Sequence, residues 1–310
     1  MFERIIPVFM QMIVLFLITA LGYIGGKAKI LTLDGNKTLS SMVNCITNPC
    51  TILYSALCAE RTMENSDVFL LLLFAIAMYA VLILLGILIP RFLKVPRPLR
   101  GQYQYMLVFS NVAYMGIPVI RSIFGEEATF CATIFIMVFY TLVFTYGVWL
   151  ICGEDEKGSF QWKQILSPML ISSVISIVGY LCNIRIGGVL KDTLSVVGNV
   201  TTPCAMIIIG CALSTIPIRQ VFSNWRLYVI TLLKLLVIPG VTYLCLRNII
   251  PNRMFLGVAV ILMAMPVASN FTMLSAQYDK DQTLASTSIF ITTLLSVFTI
   301  PLLAGLLNIG

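Results

Sequence analysis

Asn111-Val112-Ala113-Tyr114-Met115-Gly116-Ile117-Pro118 interrupts an apolar segment near its middle, and Met263-Ala264-Met265-Pro266-Val267-Ala268-Ser269-Asn270 interrupts another. Proline has no backbone N–H and its ring crowds the preceding turn, while a neighbouring glycine lowers the cost of unwinding. In lipid an unwound backbone survives only where it is buried in protein or lines a polar cavity. Two such breaks in corresponding places of two halves of a chain are the sequence pointer to a carrier's substrate site. The fourth and ninth helices are expected to split at Gly116 to Pro118 and around Pro266. Because proline suits a helix's first turn, Pro118 and Pro266 should each open a second half-helix. Their free amides and positive dipole ends, face to face at the midplane, would make an anion site without a buried basic side chain. A pair of ordinary proline kinks is the competing reading.

Composition sets the environment. Of 310 residues, 59% are hydrophobic and 11% charged, with a mean hydropathy of +0.98; a soluble domain carries roughly a quarter charged residues. Apolar runs of about 20 residues, each long enough for a hydrocarbon core of about 30 Å, recur throughout and leave no room for a soluble domain. The first run, Pro7 to Gly26, has no small-residue cleavage site after it and reads as a retained helix. The net charge of +7 is spread over helix ends, so it signals membrane topology and no nucleic-acid partner. Nine cysteines, no CxxC pair and no histidine leave no metal set, and no cofactor is expected.

The reading is an all-α membrane protein of ten transmembrane helices, near 7–28, 36–58, 67–90, 101–124, 128–151, 163–182, 190–213, 222–247, 253–278 and 282–308. A hydrophilic linker at 153–162 divides the chain into a five-helix repeat at 1–152 and another at 163–310. An odd number of helices per half inverts the second repeat. Thr47-Asn48-Pro49-Cys50 is echoed by Thr201-Thr202-Pro203-Cys204 in the second helix of each half, and Pro118 and Pro266 match in the fourth. One set of alternate loops holds Lys27, Lys29, Lys37, Arg91, Lys94, Arg97, Arg100, Lys157, Lys163, Arg219, Arg226 and Lys280. The other holds Arg4, Arg61, Arg121, Arg185, Lys191, Arg247 and Arg253. The richer set belongs inside, which puts both termini outside the cell membrane.

Polar residues near the breaks are the candidate ligand contacts. Asn111 can donate and accept hydrogen bonds while staying neutral, which suits a carboxylate that must bind and leave; interhelical bonding is the alternative. Asn48, Ser269 and Asn270 carry the same two readings. Arg121, three residues after Pro118, either attracts anions at the outer vestibule or marks the wet end of its helix. Lys234 lies mid-helix in Leu232-Leu233-Lys234-Leu235-Leu236, where a charge is costly and functional by default. No Asp or Glu lies deep in a span; Asp67, Glu126, Glu127 and Asp279 stand near helix ends, so a proton relay of the usual side chains is absent. An intramembrane enzyme would need paired aspartates or a Ser/His dyad, and neither is visible.

Asn111 to Gly125, NVAYMGIPVIRSIFG, resembles the crossover segment of the auxin efflux carrier family, and LGYIGGKAKILTLDGNKTLS resembles the start of its bacterial members. The resemblance implies helices 4 and 9 crossing at the midplane. It further implies a scaffold of helices 1, 2, 6 and 7, with a transport domain of 3–5 and 8–10 moving elevator-fashion against it. Residue by residue, Asn111, Gly116 and Pro118 fall on the first crossover, Pro266 and Ser269 on the second, and Asn48 on a scaffold position facing substrate. Lys234 is placed behind the crossover, on carbonyls released by the half-helices. The implied substrates are small organic anions, either auxin-like monocarboxylates or dicarboxylates such as malonate and malate. A homodimer is compatible with the family plan. Ser167-Pro168-Met169 stands where the plant carriers have Asn-Pro-Asn, so the indole acid is not carried over. The alternatives are a sodium-coupled symporter of the bile-acid type and a non-transporting sensor on a carrier fold.

Overall fold

The computed structural model describes residues 2–58, 63–125, 127–152, 167–215, 224–250, 252–278, 280 and 282–306. The linker at 153–162 lies outside them, as do Arg61, Glu126, Lys157, Lys163, Arg219 and Asp279. The described residues are helical and carry no strand. Helix α1 is Phe2–Lys27. Helix α2 covers 33–57, starts where the Thr32 hydroxyl accepts from the Gly35 amide, and contains a π-helical turn at Val43–Thr47. Helix α3 is Asn65–Phe92, and α4 is Arg100–Val108. A π turn at Val112–Gly116 runs into α5, Ile117–Phe124. Helix α6 covers Glu127–Cys152, with a π turn at Val143–Gly147.

In the second half, α7 is Pro168–Leu181, and α8 (Gly188–Asn199) is nearly continuous with α9 (Thr201–Ser214). Helix α10 covers Trp225–Leu246 around a π turn at Leu233–Val237. Helices α11 (Arg253–Met263) and α12 (Asn270–Gln277) flank a non-helical stretch, and α13 is Thr283–Leu306. Five of these helices, α3, α6, the α8–α9 unit, α10 and α13, are long and apolar enough to cross a membrane.

The prolines account for three of the four π turns. Pro49, Pro118 and Pro239 each sit two residues beyond one. A proline ring collides with the carbonyl four residues earlier, here that of Cys45, Tyr114 or Leu235, all inside the π turn. Widening that turn moves the carbonyl away and spares the missing N–H bond. Proline alone does not force the device, since Pro90 lies within α-helical α3. The π turn in α6 has no proline after it; there Gly147 lies against the rings of Tyr105 and Phe109.

This geometry moves both breaks. The first was expected at Gly116 to Pro118, but helix runs unbroken through those residues and the chain unwinds earlier, at Phe109–Asn111. The π turn absorbs Pro118, which occupies the second position of α5 as a first-turn proline does. The second break spans 264–269, and Pro266 sits in its middle without opening a half-helix; α12 begins four residues later at Asn270.

Helix α1 packs along α9, α2 against α7 and α8, α3 against α4 and α6, and α10 against α11 and α13. The α1–α9 contact is a glycine clasp. A Cβ on Gly210 would strike the Thr19 carbonyl of α1, and one on Gly22 would strike the Ile207 backbone of α9. In lipid, where apolar side chains gain little by leaving their surroundings, such backbone approach supplies the packing that holds helices together. Gly210→Ala is expected to destabilise by about 1–3 kcal/mol, the usual overpacking range. Gly240→Ala, with nothing within 4 Å of its Cβ, should leave the thermal unfolding midpoint in detergent unchanged. Equal midpoints for the two variants would rule the clasp out.

Candidate functional site

Both unwound stretches expose backbone groups that no helix satisfies, and they satisfy each other. The Asn111 amide donates to the Pro266 carbonyl at 2.8 Å, and the Ala268 amide donates to the Phe109 carbonyl at 3.1 Å. Ser110 and Val267 thereby form an antiparallel bridge. Pro266 sits in the one role that costs it nothing, because proline keeps its carbonyl and lacks only the donor. The Val267 amide, pointing away from that ladder, donates to the Thr292 hydroxyl of α13 at 3.1 Å. Thr292 in turn donates to the Ser288 carbonyl at 2.6 Å.

Lys234 closes the other flank. Its side chain is 1% exposed, and Nζ donates to the Leu107 carbonyl at 3.2 Å and to Ser110 Oγ at 3.0 Å. Leu107 is in the last turn of α4, where carbonyls have no partner along the helix and the dipole is negative. Among the described residues no carboxylate accompanies Lys234. Lys234 thus meets the bridge through two acceptors, a carbonyl at a helix end and a hydroxyl.

The sequence candidates divide into groups. Asn111 is 4% exposed, and its side-chain Nδ2 has no hydrogen-bond partner; the same holds for Ser269 Oγ. Asn270 is buried with its side chain near that of Tyr140. Gly116 donates its amide to the Asn111 carbonyl at 3.0 Å. A Cβ there would come within 2.7 Å of Leu262 Cδ2, so this glycine lets the π turn seat on α11. Asn48, on α2, is fully buried with neither side-chain oxygen nor nitrogen bonded, and Thr47 Oγ1 beside it is also unpartnered. Arg121 donates to the Asn199 side chain at 3.2 Å and so ties α5 to the end of α8.

Asn111, Pro266 and Ser269 are thus drawn together by the bridge, whereas no described bond joins Asn48 to them. The link to α2 is Tyr114, whose hydroxyl donates to Asn44 Oδ1 at 2.9 Å, π turn to π turn. The residue after the first echoed motif meets the second: Thr51 Oγ1 lies 3.1 Å from Thr201 Oγ1 and donates to the Gly198 carbonyl at 3.0 Å. Tyr114, Asn44, Ser110 and Thr292 are absent from the sequence candidates. Tyr114 had a signal in its place between Asn111 and Gly116, and Asn44 in being polar within an apolar run.

Unpaired buried amides are costly, about 1–3 kcal/mol each, which gives a direct check on the bridge. Thr292→Val removes the Val267 acceptor without changing shape. Faster hydrogen exchange at Val267 and a lower unfolding midpoint are expected. Thr293→Val, which removes a hydroxyl that already has no partner, should be neutral or stabilising. An unaltered Val267 exchange rate in Thr292→Val would show that the bond is not made.

A relative from Methanocaldococcus jannaschii named "Uncharacterized transporter" is 26% identical over 309 residues, covering 96% of this chain and 97% of its own. One from Rhizobium meliloti named "Putative malonate transporter" is 24% identical over 213 residues, 65% of each chain. An "Uncharacterized transporter" of Methanothermobacter thermautotrophicus is 29% identical over 199 residues, 62% of this chain and 63% of its own. The family model described as "Membrane transport protein" matches residues 7–304. With nearly its whole length covered, the chain belongs to the membrane transport protein family.

Proposed function

We propose that this chain is a secondary carrier of small organic anions, with dicarboxylates of the malonate class first among them, working by elevator-type alternating access. The observation that carries the reading is the antiparallel bridge between the two unwound stretches, with Asn111 Nδ2 and Ser269 Oγ buried beside it and unbonded. Native proteins rarely leave such groups unsatisfied, and a carboxylate would accept from both. Lys234 holds the far side of the bridge without touching the ligand.

Helix pairing supports two inverted repeats. Counting spans along the chain, the first pairs with the seventh and the second with the sixth; the third pairs with the fifth and the eighth with the tenth. Exchanging each span for the one five places away reproduces the same pairs. On this plan α4–π–α5 and α11–α12 are the crossing helices, and α1, α2, α7, α8 and α9 form the scaffold. Helices α3–α6 and α10–α13, the crossing helices included, make up the moving domain. The termini lie outside. An anion leaving a negative-inside cell gains roughly 2.3 kcal/mol per charge per 100 mV, so export needs no coupled proton.

Counterflow of labelled malonate into preloaded proteoliposomes tests the reading. Saturable exchange is expected, lowered about 10–100-fold in Asn111→Ala, the value of one hydrogen bond to a charged group. Lys234→Ala at normal surface expression should also transport poorly. Ligand binding without exchange would replace the carrier with a sensor, and a strict requirement for sodium would favour a symporter of the bile-acid type.

A further inference from the structure

We infer that the turn joining α3 to α4, together with the start of α10, is a binding site for the headgroup of an anionic phospholipid. Helix α3 ends in a Schellman-type cap: the Lys94 amide donates to the Arg91 carbonyl at 3.0 Å and the Val95 amide to the Pro90 carbonyl at 2.9 Å. The residue at the left-handed position of such a cap is normally glycine, because a Cβ there crowds the backbone. Here it is Lys94, at φ 50°. A lysine held there carries backbone strain that glycine would not.

The surroundings say what the charge is for. Arg91, Lys94 and Arg97 are exposed within seven residues of one another, and none has an ion-pair partner among the described residues. Arg226, from the first turn of α10, clamps the turn by donating Nε to the Leu93 carbonyl at 3.0 Å and Nη2 to the Lys94 carbonyl at 3.4 Å. Its guanidinium lies 5.3 Å from the Trp225 ring centroid. Trp225 is 57% exposed and Phe92 80% exposed. Three unneutralised cations on a rigid turn, flanked by a large ring and a tryptophan, match a phosphate that carries acyl chains. Aromatic side chains of this kind settle at the headgroup level, and clustered basic residues at a helix end draw anionic lipid. A free phosphate would have no use for Phe92 and Trp225.

The strained cap supplies a variant that removes charge without endangering the fold. Lys94→Gly suits φ 50° and keeps both backbone acceptors of Arg226. It should raise the unfolding midpoint while weakening binding of phosphatidylglycerol, titrated in phosphatidylcholine nanodiscs, about fivefold, with a similar further loss in Lys94→Gly/Arg97→Gln. Lys29→Gly is the comparison, since Lys29 ends α1 in the same left-handed conformation, at φ 58°. It should stabilise equally and leave lipid binding near the parent value. Unchanged phosphatidylglycerol binding in Lys94→Gly/Arg97→Gln would overturn the site. So would an equal loss in Lys29→Gly, which would mean diffuse surface charge, or full displacement of the lipid by millimolar inorganic phosphate.

Discussion

A backbone amide in hydrocarbon must find an acceptor, and the rest of this structure depends on how two interrupted spans meet that demand. Neither stretch is tolerable alone. Phe109–Asn111 and 266–268 exchange two backbone bonds, and the remaining inward amide, that of Val267, is taken by Thr292. Lys234 takes the carbonyl that α4 releases at its end. These four contacts bring α4, α10, α13 and the stretch between α11 and α12 to one point, and they leave side-chain groups of Asn111 and Ser269 beside it with nothing to bond. Satisfied backbone and unsatisfied side chains thus stand side by side at the bridge.

Proline was the most legible element in the sequence and also the most misleading about position. Pro118 and Pro266 announce two breaks, and both breaks exist. Their placement was not readable, because a proline can be absorbed by a π turn upstream, as at Pro49, Pro118 and Pro239, or can lie in an unwound stretch as an acceptor, as at Pro266. The choice depends on which partner stands opposite, a tertiary fact. Lys234 was legible as a solitary charge in an apolar run. Its partners were not, since a carbonyl and a serine 127 and 124 residues away leave no local pattern.

Hydroxyl residues mark the limit of sequence reading in such a chain. Helix α13 carries Ser286, Ser288, Thr292, Thr293, Ser296 and Thr299, and most serine and threonine hydroxyls in membrane helices bond their own backbone. Ser288 and Ser296 do so. Thr292 does so as well, yet its oxygen also receives the Val267 amide. Tyr114 reaching Asn44 joins two π turns that prolines created independently. Only the folded arrangement brings them together.

The central claim is that the two unwound stretches pair in the membrane and that the unbonded groups beside the pairing receive an organic anion. Solid-state NMR on protein in bilayers, with backbone and side-chain ¹⁵N in asparagine and ¹³C at proline carbonyls, tests both parts in one spectrum. A cross-peak between the Asn111 amide nitrogen and the Pro266 carbonyl is predicted, together with a shift of the Asn111 side-chain nitrogen when malonate is added. Absence of the cross-peak, or an Asn111 side chain indifferent to saturating malonate and other small carboxylates, would contradict the account.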